Sequence, residues 1–101
     1  MTVLMVQFSV EPADVSEIES AAEKMCAALT DANPSGVRFA ACKLADGVSF
    51  LNILQLEDQT PNPLPSLEAA REFQQLMAAR AVNHHSPVAA QATVLGSHHL
   101  F

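Results

Sequence analysis

Val37–Glu57, with the sequence VRFAACKLADGVSFLNILQLE, is the stretch that decides the fold. Two apolar runs flank Asp46-Gly47, and this pair predicts a two-residue hairpin loop of type I′, which requires positive φ at both positions. The loop position sets the register, because residues placed symmetrically about the Asp46–Gly47 bond lie opposite each other, as Ala41 and Asn52 do. Both sides of the hairpin are mainly apolar, so we expect both to be covered.

The segments around the hairpin alternate between strand and helix patterns. Val3–Val10 has the two-residue period of a strand. Gln91–Phe101 contains the last strand, with Ala92–Leu95 at its centre and a bulge or a close backbone approach at Gly96. Apolar residues recur at intervals of three and four over Val15–Ala32 and from Leu67 to Val82 or Asn83. This spacing predicts two amphipathic helices.

Each predicted helix follows a residue that favours capping. Asp14 precedes the first helix, and Glu17 three positions later completes a capping-box pattern. Ser66 precedes the second helix in the same way. Between the hairpin and Ser66, residues 58–65 contain three prolines, which predict an extended surface loop without regular hydrogen bonding.

The order of elements is strand, helix, strand, strand, helix, strand, which is that of the ferredoxin-like α+β fold. Right-handed crossovers place four antiparallel strands in the order 4-1-3-2, with both helices on one face. We expect residues 1–101 to form a single domain. The opposite face has no helices, although the strands carry Leu, Ile and Met on it. We therefore expect a homodimer that stacks two open sheet faces.

Composition argues against two classes of partner. Five Lys and Arg stand against eleven Asp and Glu, and the resulting net charge of −6 is unlike that of a nucleic-acid-binding surface. No run has the length of a membrane span, and the N-terminus has no signal-peptide pattern, so we expect a cytoplasmic protein.

Cys26 and Cys42 lie in apolar patterns and are expected to be reduced core thiols rather than a disulfide or a reactive thiol.

Several short segments are similar to those of a known group of proteins. They are Leu44–Phe50, Leu56–Asp58, Asn62–Leu64, Phe73-Gln74, Val94–Ser97 and Leu100-Phe101. With the topology, they resemble the dimeric α/β-barrel superfamily, which includes the antibiotic-biosynthesis-monooxygenase-like proteins, and more closely small bacterial proteins of similar length without an assigned activity. The resemblance implies two sheets that close into a barrel across a dimer, with a cavity between each sheet and its own helices.

The resemblance also implies a type of site, from which this chain departs. Monooxygenase members typically place Asn, Trp or His in the cavity, and this chain has no Trp. Before the final Leu-Phe the resembling proteins are expected to have an aromatic and a basic residue, where this chain has His98 and His99. No known catalytic motif matches residue by residue.

The histidines form two adjacent pairs, His84-His85 and His98-His99. Adjacent residues on a strand point to opposite sides, and helical metal pairs use spacings of three or four. The pairs therefore favour surface histidines over a metal site, and we expect neither a metal nor a cofactor.

Polar residues within the apolar strands are the stronger candidates, because a buried polar group without a partner costs about 1–3 kcal/mol. Asn52, in the middle of its strand, is either a hydrogen-bonding residue of the dimer interface or a ligand contact. Gln7 has the same two interpretations. Arg38 opposite Gln55 is either a sheet-end or interface pair or an anion site.

Two functions remain open. The first is a homodimer that binds a small apolar ligand without catalytic residues of its own. The alternative is a cofactor-independent monooxygenase for an aromatic or polyketide-like substrate, with Leu4 among the cavity walls. A solid core between sheet and helices would exclude the enzyme. The candidate ligand-binding residues are Asn52, Gln7, Phe8, Phe73, Met77 and His99.

Overall fold

The computed structural model describes residues 1–82 and 87–100 as a four-stranded antiparallel sheet with two helices. The elements are β1 (Thr2–Ser9), α1 (Val15–Ala32), β2 (Val37–Lys43), β3 (Ser49–Leu56), α2 (Glu68–Arg80) and β4 (Ala90–Ala92), with 3₁₀ helices at Pro12–Asp14 and Leu64–Ser66. The sheet order β2-β3-β1-β4 confirms the predicted ferredoxin-like α+β topology. In the described part of the chain no helix is both long and apolar enough to cross a membrane.

The predicted hairpin register is confirmed, whereas the predicted turn type is wrong. β2 and β3 pair in the predicted register along their whole length. The loop has four residues, since Leu44 N donates to Ser49 O at 2.8 Å and Gly47 N donates to Leu44 O at 3.0 Å. Gly47 has φ +79°, but Asp46 does not have positive φ. The two-residue and four-residue loops share one centre, so both give the same register.

The Asp46 side chain stabilises the longer loop. Its Oδ1 accepts hydrogen bonds from the amides of Val48 at 3.0 Å and Ser49 at 2.8 Å, and its Oδ2 accepts one from Ser49 Oγ at 2.6 Å. Because Ser49 donates its only hydroxyl proton to Asp46, Ser9 is the donor in the 2.7 Å contact between the two serine hydroxyls. The Ser49 hydroxyl, and then the two amides, hold the pKa of Asp46 below its ordinary value.

A 3₁₀ helix precedes each α-helix, and neither predicted capping residue makes a capping hydrogen bond. Asp14 occupies the predicted N-cap position of α1, whereas the N-cap residue of α2 is Leu67 and not Ser66. Asp14 already has near-helical dihedral angles, φ −97° and ψ −5°, and its side chain makes no capping hydrogen bond. Ser66 ends the second 3₁₀ helix, and its hydroxyl donates to Pro63 O at 2.8 Å. The carboxylates of Asp14 and Glu17 instead lie 3.9 Å and 3.6 Å from the guanidinium of Arg80 at the end of α2.

The last strand is shorter than predicted and lies earlier in the chain. Ala92 pairs with Val3, and the antiparallel chain then reaches the start of β1, which begins at Thr2. The sheet offers no further β1 backbone for the residues that follow, so Thr93–Leu100 continue outside it. The prediction of a strand centred on Ala92–Leu95 with a bulge at Gly96 is therefore wrong.

The helix face of the sheet contains the core. Phe8 and Phe50 lie opposite each other on β1 and β3, with ring centroids 5.3 Å apart. They pack with Ile18 and Met25 of α1 and with Phe73 of α2. The predicted apolar stripes of both helices are thus used to cover this face.

The open face is formed by the alternate residues of the same strands. Leu51 and Ile53 on β3 are half-buried there. The face is not bare along its whole length, since Val3 is 1% exposed and Gln55 Nε2 donates to Met1 Sδ at 2.9 Å. The centre of this face nevertheless has no covering element within the described residues.

Cys26 and Cys42 are free thiols in different environments. Cys26 on α1 is half-buried, and burial raises the pKa of its thiol. Cys42 is exposed on the open face. The prediction that Cys42 lies in the core is wrong for the single chain, because β2 is an edge strand and no helix covers that face.

Candidate functional site

A cavity of about 230 Å³ lies between the helix face of the sheet and α2. Side chains of β1 and β3 form its floor, α2 forms its roof, and Met25 of α1 closes one side. The 3₁₀ helix before α2 and the segment before β4 form its rim. The lining residues are Leu4, Val6, Met25, Phe39, Asn52, Leu54, Asn62, Leu64, Pro65, Ala70, Phe73, Gln74, Met77, Pro87 and Ala89.

Asn52 is the polar group in the floor of this cavity. It is 7% exposed and lies opposite Val6, so its side chain belongs to the helix face. Its amide Nδ2 lies 3.7 Å from Met77 Sδ, a contact with a weak acceptor. The interpretation of Asn52 as a residue of an interface on the open face is wrong, because it points to the other side of the sheet.

Two more of the predicted ligand-binding residues line the cavity. Phe73 and Met77 are successive buried residues of the α2 stripe, and both contribute to the roof. Phe8 does not line the cavity: its ring packs edge-on against Phe73 with centroids 6.4 Å apart, behind the wall. The sequence therefore placed Phe8 in the correct layer of the fold but not at the cavity surface.

Gln7 and His99 lie away from the cavity. Gln7 is exposed and, as the neighbour of Phe8 on β1, belongs to the open face. His99 is in the segment after β4, with φ +61° and its ring centroid 4.2 Å from that of His98. The structure thus does not bring either residue to Asn52. His84 and His85 lie outside the described residues.

Sequence reasoning missed two amides at the rim, Asn62 and Gln74. Asn62 belongs to the proline-rich loop, where its Oδ1 accepts a hydrogen bond from Leu64 N at 3.0 Å. This bond and the 3₁₀ helix that follows correct the expectation of an extended loop without regular hydrogen bonding. Gln74 follows Phe73 on α2 and falls just outside the apolar stripe, so the periodicity alone could not select it.

The cavity is uncharged. Within the described part of the chain, no lining residue is titratable. The groups with shifted pKa values lie elsewhere, at Cys26 on α1, at Asp46 in the hairpin loop and at Asp58 beside the N-terminal ammonium group. No group of three His, Cys, Asp or Glu side chains among the described residues is arranged to hold a metal ion.

The arrangement can therefore bind and orient a molecule but offers no acid or base from its described lining. The apolar walls favour an apolar body, and the three amides can each donate and accept one or more hydrogen bonds. Asn52 is the amide best placed to orient a ligand, because it is buried within the floor rather than at the rim.

No protein-family model and no curated protein sequence matches this chain. Among solved structures, the chain is similar to an L-rhamnose mutarotase from Formosa agariphila, with a TM-score of 0.53 and 12% sequence identity. The match covers 95% of this chain and 97% of the mutarotase chain. At this identity the likeness concerns the fold alone, and that fold is the ferredoxin-like one described above.

Proposed function

We propose that this protein is a homodimer that binds a small, uncharged and mainly apolar molecule in the cavity above Asn52, without a catalytic set of its own. The observation that supports this proposal is a nearly buried carboxamide in an otherwise apolar cavity floor. A buried amide that makes only a weak contact with sulfur retains hydrogen-bonding capacity for a ligand.

The volume and the charge of the cavity limit the ligand. An apolar cavity of about 150 Å³ accepts benzene, so a cavity of about 230 Å³ suits a molecule with one or two rings. An ionised ligand would lose its hydration without meeting a counter-charge in the described lining, which is costly. A neutral aromatic with one hydroxyl or carbonyl group fits both limits.

The homodimer part of the proposal rests on the open face. Of the strand residues on that face, Arg38 alone carries a full charge, whereas the chain as a whole has a net charge of −6. Half-buried Leu51 and Ile53 at its centre are typical of a surface that becomes covered. Stacking of two such faces would cover both.

A sugar is a less suitable ligand, although the similar mutarotase is named for L-rhamnose. A monosaccharide presents hydroxyl groups around its whole ring, and each needs a hydrogen-bond partner once it leaves water. Three amides among mainly apolar walls supply too few partners. An enzyme that interconverts anomers also needs a general acid and a general base, and the described lining has no titratable side chain that could act as either.

The second candidate function is a cofactor-independent monooxygenase of an aromatic or polyketide-like substrate. It is favoured by the same cavity, in which an apolar body packs under Phe73 and Met77 while the amide of Asn52 orients an oxygen substituent. Oxygen uptake with a panel of quinols and anthrones distinguishes the two functions. Uptake above that of the heat-denatured protein would support the enzyme, and its absence with a ligand that binds would support the binding protein.

The binding proposal is tested with 1-naphthol and 1-naphthoate, which share a ring system and differ in charge. We expect 1-naphthol to bind more tightly than 1-naphthoate. Asn52→Leu, which keeps the side-chain size, should weaken binding of 1-naphthol about tenfold, or about 1.4 kcal/mol, through loss of the amide contact. Isothermal titration calorimetry measures both effects.

The two neighbouring glutamines of α2 provide a matched control. Gln74 lines the cavity rim, whereas Gln75 is exposed and does not line it. Gln74→Ala should alter the affinity for 1-naphthol, and Gln75→Ala should leave it unchanged. Equal affinity of all four proteins, or tighter binding of the carboxylate, would contradict the proposal.

A further inference from the structure

The segment Thr93–Leu100, which we call the C-terminal segment, differs in composition from the rest of the chain. From Ala81 onward the sequence contains no Lys, Arg, Asp or Glu, whereas sixteen such residues precede it. Solvent-facing segments normally carry charged residues. The C-terminal segment itself, with the sequence TVLGSHHL, has one Val, two Leu and no Lys, Arg, Asp or Glu, which is unlike a solvated segment.

Both leucines of this segment are exposed in the single chain, whereas Val94 is half-buried. Leu95 is 97% exposed and Leu100 is 65% exposed. Their exposure follows from the sheet geometry, because β4 passes the start of β1 just after Ala92 and the segment then leaves the sheet edge. Burying a leucine side chain stabilises a protein, and the single chain gains little of that stabilisation at Leu95 and only part of it at Leu100.

A second copy of the chain offers a matching surface. Two acidic chains repel each other least where they meet through uncharged surfaces. The described structure has two such surfaces, the C-terminal segment and the open face with Arg38 as its one charged strand residue. The C-terminal segment exposes Leu95 and Leu100, and the open face has Leu51 and Ile53 half-buried at its centre.

The dimensions favour a contact that uses both surfaces. The four strands have eight, seven, eight and three residues. Spacings of about 3.4 Å along a strand and about 4.8 Å between strands then give an open face of roughly 400 Å². A stable interface buries about 800 Å² on each partner, so the sheet face alone falls short. Eight extended residues reach up to ~28 Å, which is enough to cross the partner's sheet.

We propose that the C-terminal segments are exchanged between two copies of the chain, so that Leu95 and Leu100 of each copy pack on the other. This inference rests on the homodimer of the proposed function and deepens it by assigning the segment that completes the interface. The segment leaves the sheet edge at Ala92, and its apolar side chains become buried only in the dimer.

The test compares Leu95→Asp with Val88→Asp in the full chain. Val88 is 83% exposed, lies before β4, and is outside the C-terminal segment, so it is a matched apolar-to-charged control. Because Leu95 has almost no contact within its own chain, its substitution leaves the monomer fold intact. Sedimentation equilibrium should give a dimer dissociation constant at least tenfold higher for Leu95→Asp, with Val88→Asp like the parent.

Hydrogen exchange of the amides of Thr93–Leu100 provides the second readout. We expect protection that rises with protein concentration in the parent and is lost in Leu95→Asp. A parent dimer whose dissociation constant is unchanged by Leu95→Asp, or equally weakened by Val88→Asp, would overturn the exchanged segment and leave the stacked sheets standing. A parent that stays monomeric at 100 μM would overturn both, while binding of 1-naphthol would be judged separately.

Discussion

The two faces of the sheet are built from the same strands but have different properties. On the helix face, aromatic residues of β1 and β3 meet the buried stripes of both helices, and a cavity remains beside Asn52. On the open face, Leu51 and Ile53 are half-buried at the centre, and Arg38 is the one strand residue with a full charge. A small ligand suits the first face and a second copy of the chain suits the other. Strand periodicity thus gives one short chain two surfaces of different chemistry.

The largest expected effect is a loss of unfolding free energy, and it should differ between a substitution on the helix face and one on the open face. Phe73→Ala removes a side chain that is 2% exposed in the core, and we expect a loss of about 3–5 kcal/mol in unfolding free energy. Leu51→Ala, on the open face, should cost only about 1 kcal/mol in dilute protein because the residue is half-buried. Urea denaturation at two protein concentrations measures both values.

The two faces are distinguished by how the loss of unfolding free energy depends on protein concentration. The loss for Phe73→Ala should be the same at both concentrations, since the core lies within one chain. The loss for Leu51→Ala should grow at the higher concentration, where we expect the parent to be dimeric. Equal losses for the two variants in dilute protein would show that the faces do not differ.

The hairpin loop sets the register that assigns residues to each face, and Gly47 tests it. Gly47 has φ +79°, so Gly47→Val should lower the unfolding free energy by about 1 kcal/mol or more. Gly96→Val is the matched control, because Gly96 lacks positive φ and a Cβ there meets nothing within 4 Å. Thermal unfolding of dilute protein compares the two, and a Gly47→Val variant that melts like the parent would refute the loop geometry.

The smallest effect concerns Asp46 at the same loop. Hydrogen bonds from Ser49 and from two backbone amides lower its pKa in the folded state. Asp46 therefore stabilises the fold at pH values above about 3.9, the unfolded value, and this contribution is lost as pH falls through the folded pKa. We expect the unfolding free energy of Asp46→Asn to fall less steeply between pH 5 and pH 2 than that of the parent. Parallel pH profiles would contradict the assigned hydrogen bonds.

The sequence was sufficient for the fold where the determining contacts are local. The hairpin register was predictable although the turn type was not, because the side chain of Asp46 selects a longer loop about the same centre. The predicted cap at Ser66 was wrong, and Asp14 does not cap α1 through its side chain, because a 3₁₀ helix, which has no apolar period of its own, precedes each α-helix. The end of β4 depends on where β1 begins, which is a long-range relation that a local pattern does not contain.

The candidate site was predictable only in part, for similar reasons. Asn52 stood out as a polar residue within an apolar strand, but its face depended on its pairing with Val6. Phe73 and Met77 follow from helix periodicity. Asn62 and Gln74 reach the cavity through the packing of a loop and of a helix flank, and neither position has a sequence signal of its own.

The four methionines allow the most direct test of the two faces. Met25 and Met77 line the cavity, whereas Met1 and Met5 lie on the open face, with Met5 opposite Ile53 and Met1 beside Gln55. Methyl NMR of methionine-labelled protein therefore reports on both faces in one spectrum. Titration with 1-naphthol should shift the methyl signals of Met25 and Met77, and dilution should shift those of Met1 and Met5. Ligand-induced shifts at Met1 and Met5 instead, or no shifts at Met25 and Met77, would contradict ligand binding in the cavity above Asn52.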